Sequence, residues 1–182
     1  MAKKNDGVSN LTKKFETLQV GNDAKFMGLQ GLEPSSTLYR VCRDDENLRK
    51  PILSKAQDEK SEEIKTVNQH INCGSRKASR YISTTASLLV AREWAFYAKE
   101  DAGKRGEAKE RTHPLRIIEI DLSKIQEEEK RLLINLTNNE VREHFVSGAT
   151  QISRVKSSQE VIFQWKIPKA MFYVCKKPEK LP

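Results

Sequence analysis

The chain lacks the features that mark a stapled, membrane-spanning or metal-built protein. Three cysteines, Cys42, Cys73 and Cys175, cannot all pair with one another, and their spacing fits no zinc pattern. No run of 18 apolar residues occurs, so no membrane-spanning helix is expected. Met1-Ala2-Lys3-Lys4-Asn5-Asp6 is not followed by an apolar segment, so a secretory signal peptide is not expected. A reduced, intracellular (cytoplasmic) setting is the default expectation, and export by a signal-less route leaves the same signature. There is no internal repeat and no low-complexity tract. Aromatic residues are only 7% of the chain, and none interleaves with a basic run as single-stranded nucleic-acid platforms require.

What the chain has is charge. Of 182 residues, 32% are charged and 37% apolar, polar for a globular domain of this length. The net charge is +8, of which residues 1–30 hold +2 and residues 166–182 hold +4. The basic excess therefore sits at the ends. Such ends are solvated tails or contacts for nucleic acid or anionic lipid. The organisation expected is an N-terminal tail over 1–35, partly disordered or with one short helix around Phe15, Leu18 and Val20, a domain over 36–175, and a basic tail over 176–182.

Within the domain, Thr37 to Cys42 reads as a strand. Residues 44–68 read as one or two solvated helices broken at Pro51. Cys73-Gly74-Ser75 reads as a turn and Arg80 to Thr85 as a strand. Ser87 caps a helix running to about Glu100, with Leu88, Leu89, Ala91, Trp94, Ala95 and Ala98 at helical spacing. Leu115–Leu122 reads as a strand, Ser123–Arg131 as a charged helix, and residues 132–157 show no dominant period. Val161–Ile167 reads as one strand ended by Pro168, and Met171–Cys175 as the last strand. Strands do not alternate regularly with helices, which predicts an α+β architecture.

Three polar anchors sit at strand boundaries. Glu160 follows a Ser-Ser-Gln turn and opens an apolar strand, where a desolvated carboxylate can bond a sugar hydroxyl and stabilise a developing cation; the plainer reading is an ordinary strand-start acid. Arg40 follows Leu38 and Tyr39 and can clamp a diphosphate bidentately, or pair with an acid on an outward face. Ser83, Thr84 and Thr85 can hold the carboxylate, or serve only as turn and cap residues before the helix. His70 is a candidate ligand or a structural histidine. Arg76, Lys77 and Arg80 form a basic approach or a solvated face.

In their order and spacing these anchors resemble the Arg-Ser-Glu clade of ADP-ribosyltransferases, and among them the catalytic A subunits of cholera and heat-labile enterotoxins and their enterotoxin-alpha-like eukaryotic relatives. The resemblance lies in Leu38-Tyr39-Arg40, in Tyr81-Ile82-Ser83-Thr84-Thr85 before a helix, and in Ser158-Gln159-Glu160-Val161 with Ile167-Pro168 after it. It covers roughly residues 37–175. It implies an ADP-ribosyltransferase-like fold of two small, roughly perpendicular β-sheets around an NAD cleft. Arg40 would bind an NAD phosphate, with Tyr39, Ser83, Thr84, Thr85 and His70 lining the cofactor site. Ser83 would hold Glu160, and Glu160 would bond the nicotinamide-side ribose. Ser158 and Gln159 would orient the acceptor, a protein or nucleic acid. No metal is implied.

One position departs from the pattern. Arginine-modifying members carry Glu two residues before the catalytic Glu, and here that residue is Ser158. A serine hydroxyl is no base near neutral pH. Two functions therefore stand: a mono-ADP-ribosyltransferase using NAD, with possible glycohydrolase activity, or a degenerate domain that binds a nucleotide or protein without turnover.

Overall fold

β-Branched and aromatic residues at alternate positions build the long ladders of this fold. The structure, a computed structural model, describes residues 23–73, 77–98, 109–110 and 114–174. In chain order the strands are β1 (Thr37–Val41), β2 (Ile52–Leu53), β3 (Tyr81–Thr85), β4 (Tyr97–Ala98), β5 (Lys109–Glu110), β6 (Ile117–Asp121), β7 (Leu133–Asn135), β8 (Glu160–Gln164), β9 (Lys166–Ile167) and β10 (Phe172–Val174). The helices are α1 (Val67–Cys73), α2 (Leu88–Phe96), α3 (Glu127–Lys130), α4 (Asn139–Phe145) and α5 (Ala149–Ser158).

Six strands form one sheet in the order β10-β6-β1-β3-β8-β7, and β2-β9 and β4-β5 form two small ribbons. All the ladders between these strands are antiparallel. The large sheet has a weak seam. β1 pairs with β6 over five residues and β3 with β8 over five, but β1 meets β3 at the single pair Tyr39↔Thr85. Two three-stranded halves thus part from each other beyond that pair. Where two separate sheets were expected, the halves are joined into one, with the opening inside it.

The register assigns each strand residue to a face. Leu38, Ile82, Ile118, Ile120, Val161 and Phe163 belong to the main core, which Leu48, Ile52, Met171 and Phe172 complete. Residues 26–32, inside the segment expected as a tail, dock on the fold. Leu29 and Leu32 pack on the main core, and the Gly28 amide donates to the Leu133 carbonyl at 2.8 Å. On the opposite face α2 lays Ala91 and Ala95 against Ile117, Tyr39 and Val41. Alanine there lets the helix approach the sheet closely. Leu89, expected on that buried stripe, is exposed. Helices α1, α4 and α5 cover β7 and β8 through Val67, Ile71, Val141, Val155, Ile134 and Ile162.

Several expectations need correction. Residues 44–66 contain no α-helix. Their polar side chains capture the local backbone instead: Asn47 Oδ1 accepts from the Arg49 amide at 3.0 Å, Asp58 Oδ1 from the Ser61 amide at 2.8 Å, and Ser61 Oγ from the Gln57 amide at 3.0 Å. Such bonds offer the chain an alternative to a helix. Residues 149–158, read as aperiodic, form helix α5, so Glu160 follows a helix end and not a turn. The charged helix expected over Ser123–Arg131 shrinks to a 3₁₀ turn, Leu122–Lys124, and the one-turn α3. The strand expected over Val161–Ile167 breaks at Trp165, whose φ of 63° ends β8 and starts β9. The expected helix around Phe15, the residues Gly74 and Ser75, and the C-terminal tail lie outside the described residues.

Candidate functional site

The site is built at the seam between β1 and β3. Beyond Tyr39↔Thr85 the ladder stops, and a side chain supplies the next donor. Arg40 Nη1 donates to the Ser83 carbonyl at 2.9 Å. By register Arg40 starts on the Leu38 face of the sheet, opposite to the face that carries Ser83. Its guanidinium crosses the opening to tie the two halves together. It is buried, at 7% exposure. Nη2 lies 2.5 Å from Glu46 Oε1, and Nε has no hydrogen-bond partner.

Ser83 carries its hydroxyl on the helix-covered face, where α1 brings His70 over it. His70 Nε2 lies 2.9 Å from Ser83 Oγ and its Nδ1 lies 2.9 Å from Ser79 Oγ. A neutral imidazole donates from one nitrogen and accepts at the other, so Ser79 and Ser83 cannot both donate to it. Burial, and after it the Arg40 guanidinium, push His70 down to about 4. The ring is therefore neutral near pH 7.

Glu160 opens β8 directly across from Thr85, with Ser83 facing Ile162 two places along. Partners across a ladder share a face, so Ser83 and Glu160 rise from neighbouring strands on one side of the sheet, as diagonal neighbours roughly 7–8 Å apart at Cα. Glu160 is 7% exposed. Its position is fixed from below. Thr85 Oγ1 donates to the Ser158 carbonyl at 2.7 Å, Thr84 Oγ1 to the Val161 carbonyl at 2.5 Å, and the Ala86 amide to the Gln159 carbonyl at 3.0 Å. Both threonines are fully buried and bond the backbone on either side of Glu160.

Of the other expected site residues, Tyr39 is half-buried on β1, under α2. Ser158 is the last residue of α5, and its buried hydroxyl bonds the Val155 carbonyl at 3.2 Å. Gln159 is exposed and left-handed, with φ 46°. That conformation costs a residue with a Cβ about 1–2 kcal/mol, and it turns the chain from helix into strand. The expected basic approach is not assembled as such. Arg76 lies outside the described residues. Arg80 is turned onto Glu62, Nε and Nη2 bonding the two carboxylate oxygens at 2.7 and 2.6 Å, and its guanidinium lies 5.2 Å from the Trp165 ring.

Three residues at or near the site were not read from the sequence: Glu46, Glu62 and Ser79. Both acids are buried although they lie in runs that look solvated. Ser79 lies nine residues after His70, and nothing in its local sequence marks it. Cys42, close to Glu46, has its thiol pushed up to about 11, first by burial and then by that carboxylate, so it is no nucleophile. Among the described residues there is no group of three or more His, Cys, Asp or Glu able to hold a metal, and no helix long and apolar enough to cross a membrane.

A family model described as "Domain of unknown function (DUF7587)" matches residues 33–173. The chain belongs to the DUF7587 family. The matched span holds Arg40, His70, Ser83 and Glu160, so the whole seam lies inside the DUF7587 domain. A search of curated proteins found no match. Among solved structures, the chain is similar to one titled EcPltA, at 15% identity and TM-score 0.46, over 76% of this chain and 73% of that one. It is also similar to nicked CARDS toxin, at 19% identity and TM-score 0.44, over 77% of this chain and 25% of the toxin. The DUF7587 chain thus spans about a quarter of the length of the second structure.

Proposed function

We propose that this DUF7587 domain is a mono-ADP-ribosyltransferase that takes NAD at the β1/β3 seam and transfers ADP-ribose to a macromolecular acceptor. The observation that carries the reading is that Arg40, Ser83 and Glu160, from three distant segments, lie next to one another in the sheet: Arg40 Nη1 bonds the Ser83 carbonyl across the seam, and Glu160 stands diagonal to Ser83 on the adjoining strand. The donor set fits the substrate. A guanidinium with an unpartnered Nε–H suits a diphosphate, and a buried carboxylate beside a hydroxyl suits a ribose. In the transfer the bond between ribose C1′ and the nicotinamide nitrogen breaks, and its electron pair leaves with nicotinamide. Glu160 stabilises the positive charge that develops on the sugar. The acceptor then bonds C1′ and releases a proton.

A second reading, a domain that binds a nucleotide or protein partner without turnover, is favoured by Ser158. A serine stands where a carboxylate would accept the acceptor's proton, two residues before Glu160, and its hydroxyl is taken up by the Val155 carbonyl within α5. The test is incubation of the chain with a cell lysate and NAD labelled in its adenylate half. Transfer predicts label on a macromolecule, located by mass spectrometry. Label only in free ADP-ribose indicates hydrolysis, and intact NAD throughout supports the second reading.

A further inference from the structure

Arg40 and Arg80 each meet a buried carboxylate, and the two pairs differ in an informative way. The side-on fork of a guanidinium is made by Nε and Nη2. In Arg80 both tines of that fork meet Glu62, one on each oxygen. In Arg40 only Nη2 meets a carboxylate, that of Glu46, and Nε has no partner. Glu46 meets only one tine; its second oxygen, Oε2, is turned to the Arg43 backbone amide, from which it accepts a hydrogen bond at 3.0 Å. Arg43 Nη1 adds a contact to Oε1 at 3.3 Å. The loop after β1 thus holds a carboxylate against half of the Arg40 fork, with the side chains of both partners nearly closed to solvent.

We infer that Glu46 is an internal anion that stands in the phosphate seat of Arg40 and must withdraw when a diphosphate binds. The inference rests on the reading of Arg40 as the diphosphate-binding group and adds an autoinhibitory contact to it. Two phosphate oxygens would fill both tines, which is the better match for a guanidinium. With Glu46 in place, an incoming anion meets a neutral ion pair. With Glu46 withdrawn, it meets an uncompensated cation in a poorly solvated position, where the attraction is strong.

The test uses inorganic pyrophosphate and ADP, titrated by calorimetry into the full chain. Glu46→Gln keeps the shape and a hydrogen-bond acceptor but removes the charge, and should bind pyrophosphate at least about tenfold tighter than wild type. Glu46→Asp keeps the charge but draws it back by one methylene, and should give a smaller gain. Unchanged or weaker binding in a folded variant overturns the inference, as does failure of both wild type and variants to bind. Wild type supplies an arm that does not depend on a variant folding. Withdrawal of Glu46 breaks its bond to the Arg43 amide, so saturating pyrophosphate should speed hydrogen exchange at that amide. Unchanged or slower exchange overturns the inference. Nicotinamide release by wild type separates this claim from the catalytic one. Release from NAD with no gain in Glu46→Gln refutes only the anion seat, and a gain without release refutes only the chemistry.

Discussion

His70 should make the fold sensitive to mild acid in a way that one substitution removes. The ring is buried between Ser79 and Ser83, beside Tyr81 at 5.5 Å, and the Arg40 guanidinium disfavours its charged form. Its folded value of about 4 lies below the unfolded value of about 6.5. Between those values the unfolded chain binds a proton that the folded chain refuses, so stability falls as pH falls through this window and the loss levels off below it. Going from about pH 7 to about pH 4.5, the linkage relation gives a loss of about 2.5 kcal/mol from this group alone. Carboxylates that titrate in the same window act equally on a variant, so a difference isolates the histidine. The assay is urea denaturation of wild type and His70→Gln at both pH values. The amide keeps one hydrogen bond in the network and cannot take the proton. Wild type should lose about 2.5 kcal/mol more than the variant. Equal losses would refute the burial of a neutral imidazole at the seam.

Two further outcomes concern Arg40 and Arg80. Arg40→Lys keeps the charge but loses the planar fork, and should weaken NAD binding by roughly 1.5–3 kcal/mol, read by calorimetry on the folded variant; unchanged affinity would remove Arg40 from the phosphate site. Glu62→Ala leaves the Arg80 guanidinium without its bidentate partner, and should cost about 3–5 kcal/mol of stability, visible as a melting temperature lower by about 10 °C; a shift of a degree or two would mean that water replaces the carboxylate.

The parts of this fold that were legible in the sequence are those fixed by local rules. Thr37–Val41 and Tyr81–Thr85 are β-rich runs that the structure keeps as β1 and β3. Ser87 caps α2 as expected, accepting from the Val90 amide at 3.3 Å. What was not legible depends on distant partners or on weak periodicity. Helix α5 buries only Val155 and Ser158, too few for a stripe to show. The apolar residues of 44–66 fall at spacings compatible with a helix, but Asn47, Asp58 and Ser61 turn the chain locally. Trp165 adopts a left-handed conformation that side-chain pattern does not announce. At the site, Arg40, Ser83 and Glu160 stand out in the sequence by their order and spacing; they were expected at strand boundaries, but only Glu160 opens a strand, and Arg40 and Ser83 lie within β1 and β3. Glu46 and Glu62 were missed because an acid inside a charged run reads the same whether it faces water or a buried arginine.

The most direct measurement of the central claim is the rate of nicotinamide release from NAD by wild type and by Glu160→Gln. The amide preserves the size of the side chain and removes the charge that would stabilise the sugar cation. If Glu160 acts as proposed, the variant should be slower by about 10²–10³, the scale seen for preorganised electrostatic groups, with its fold and NAD affinity retained. Equal rates in the two proteins, or no release by wild type under conditions where NAD binds, would contradict it.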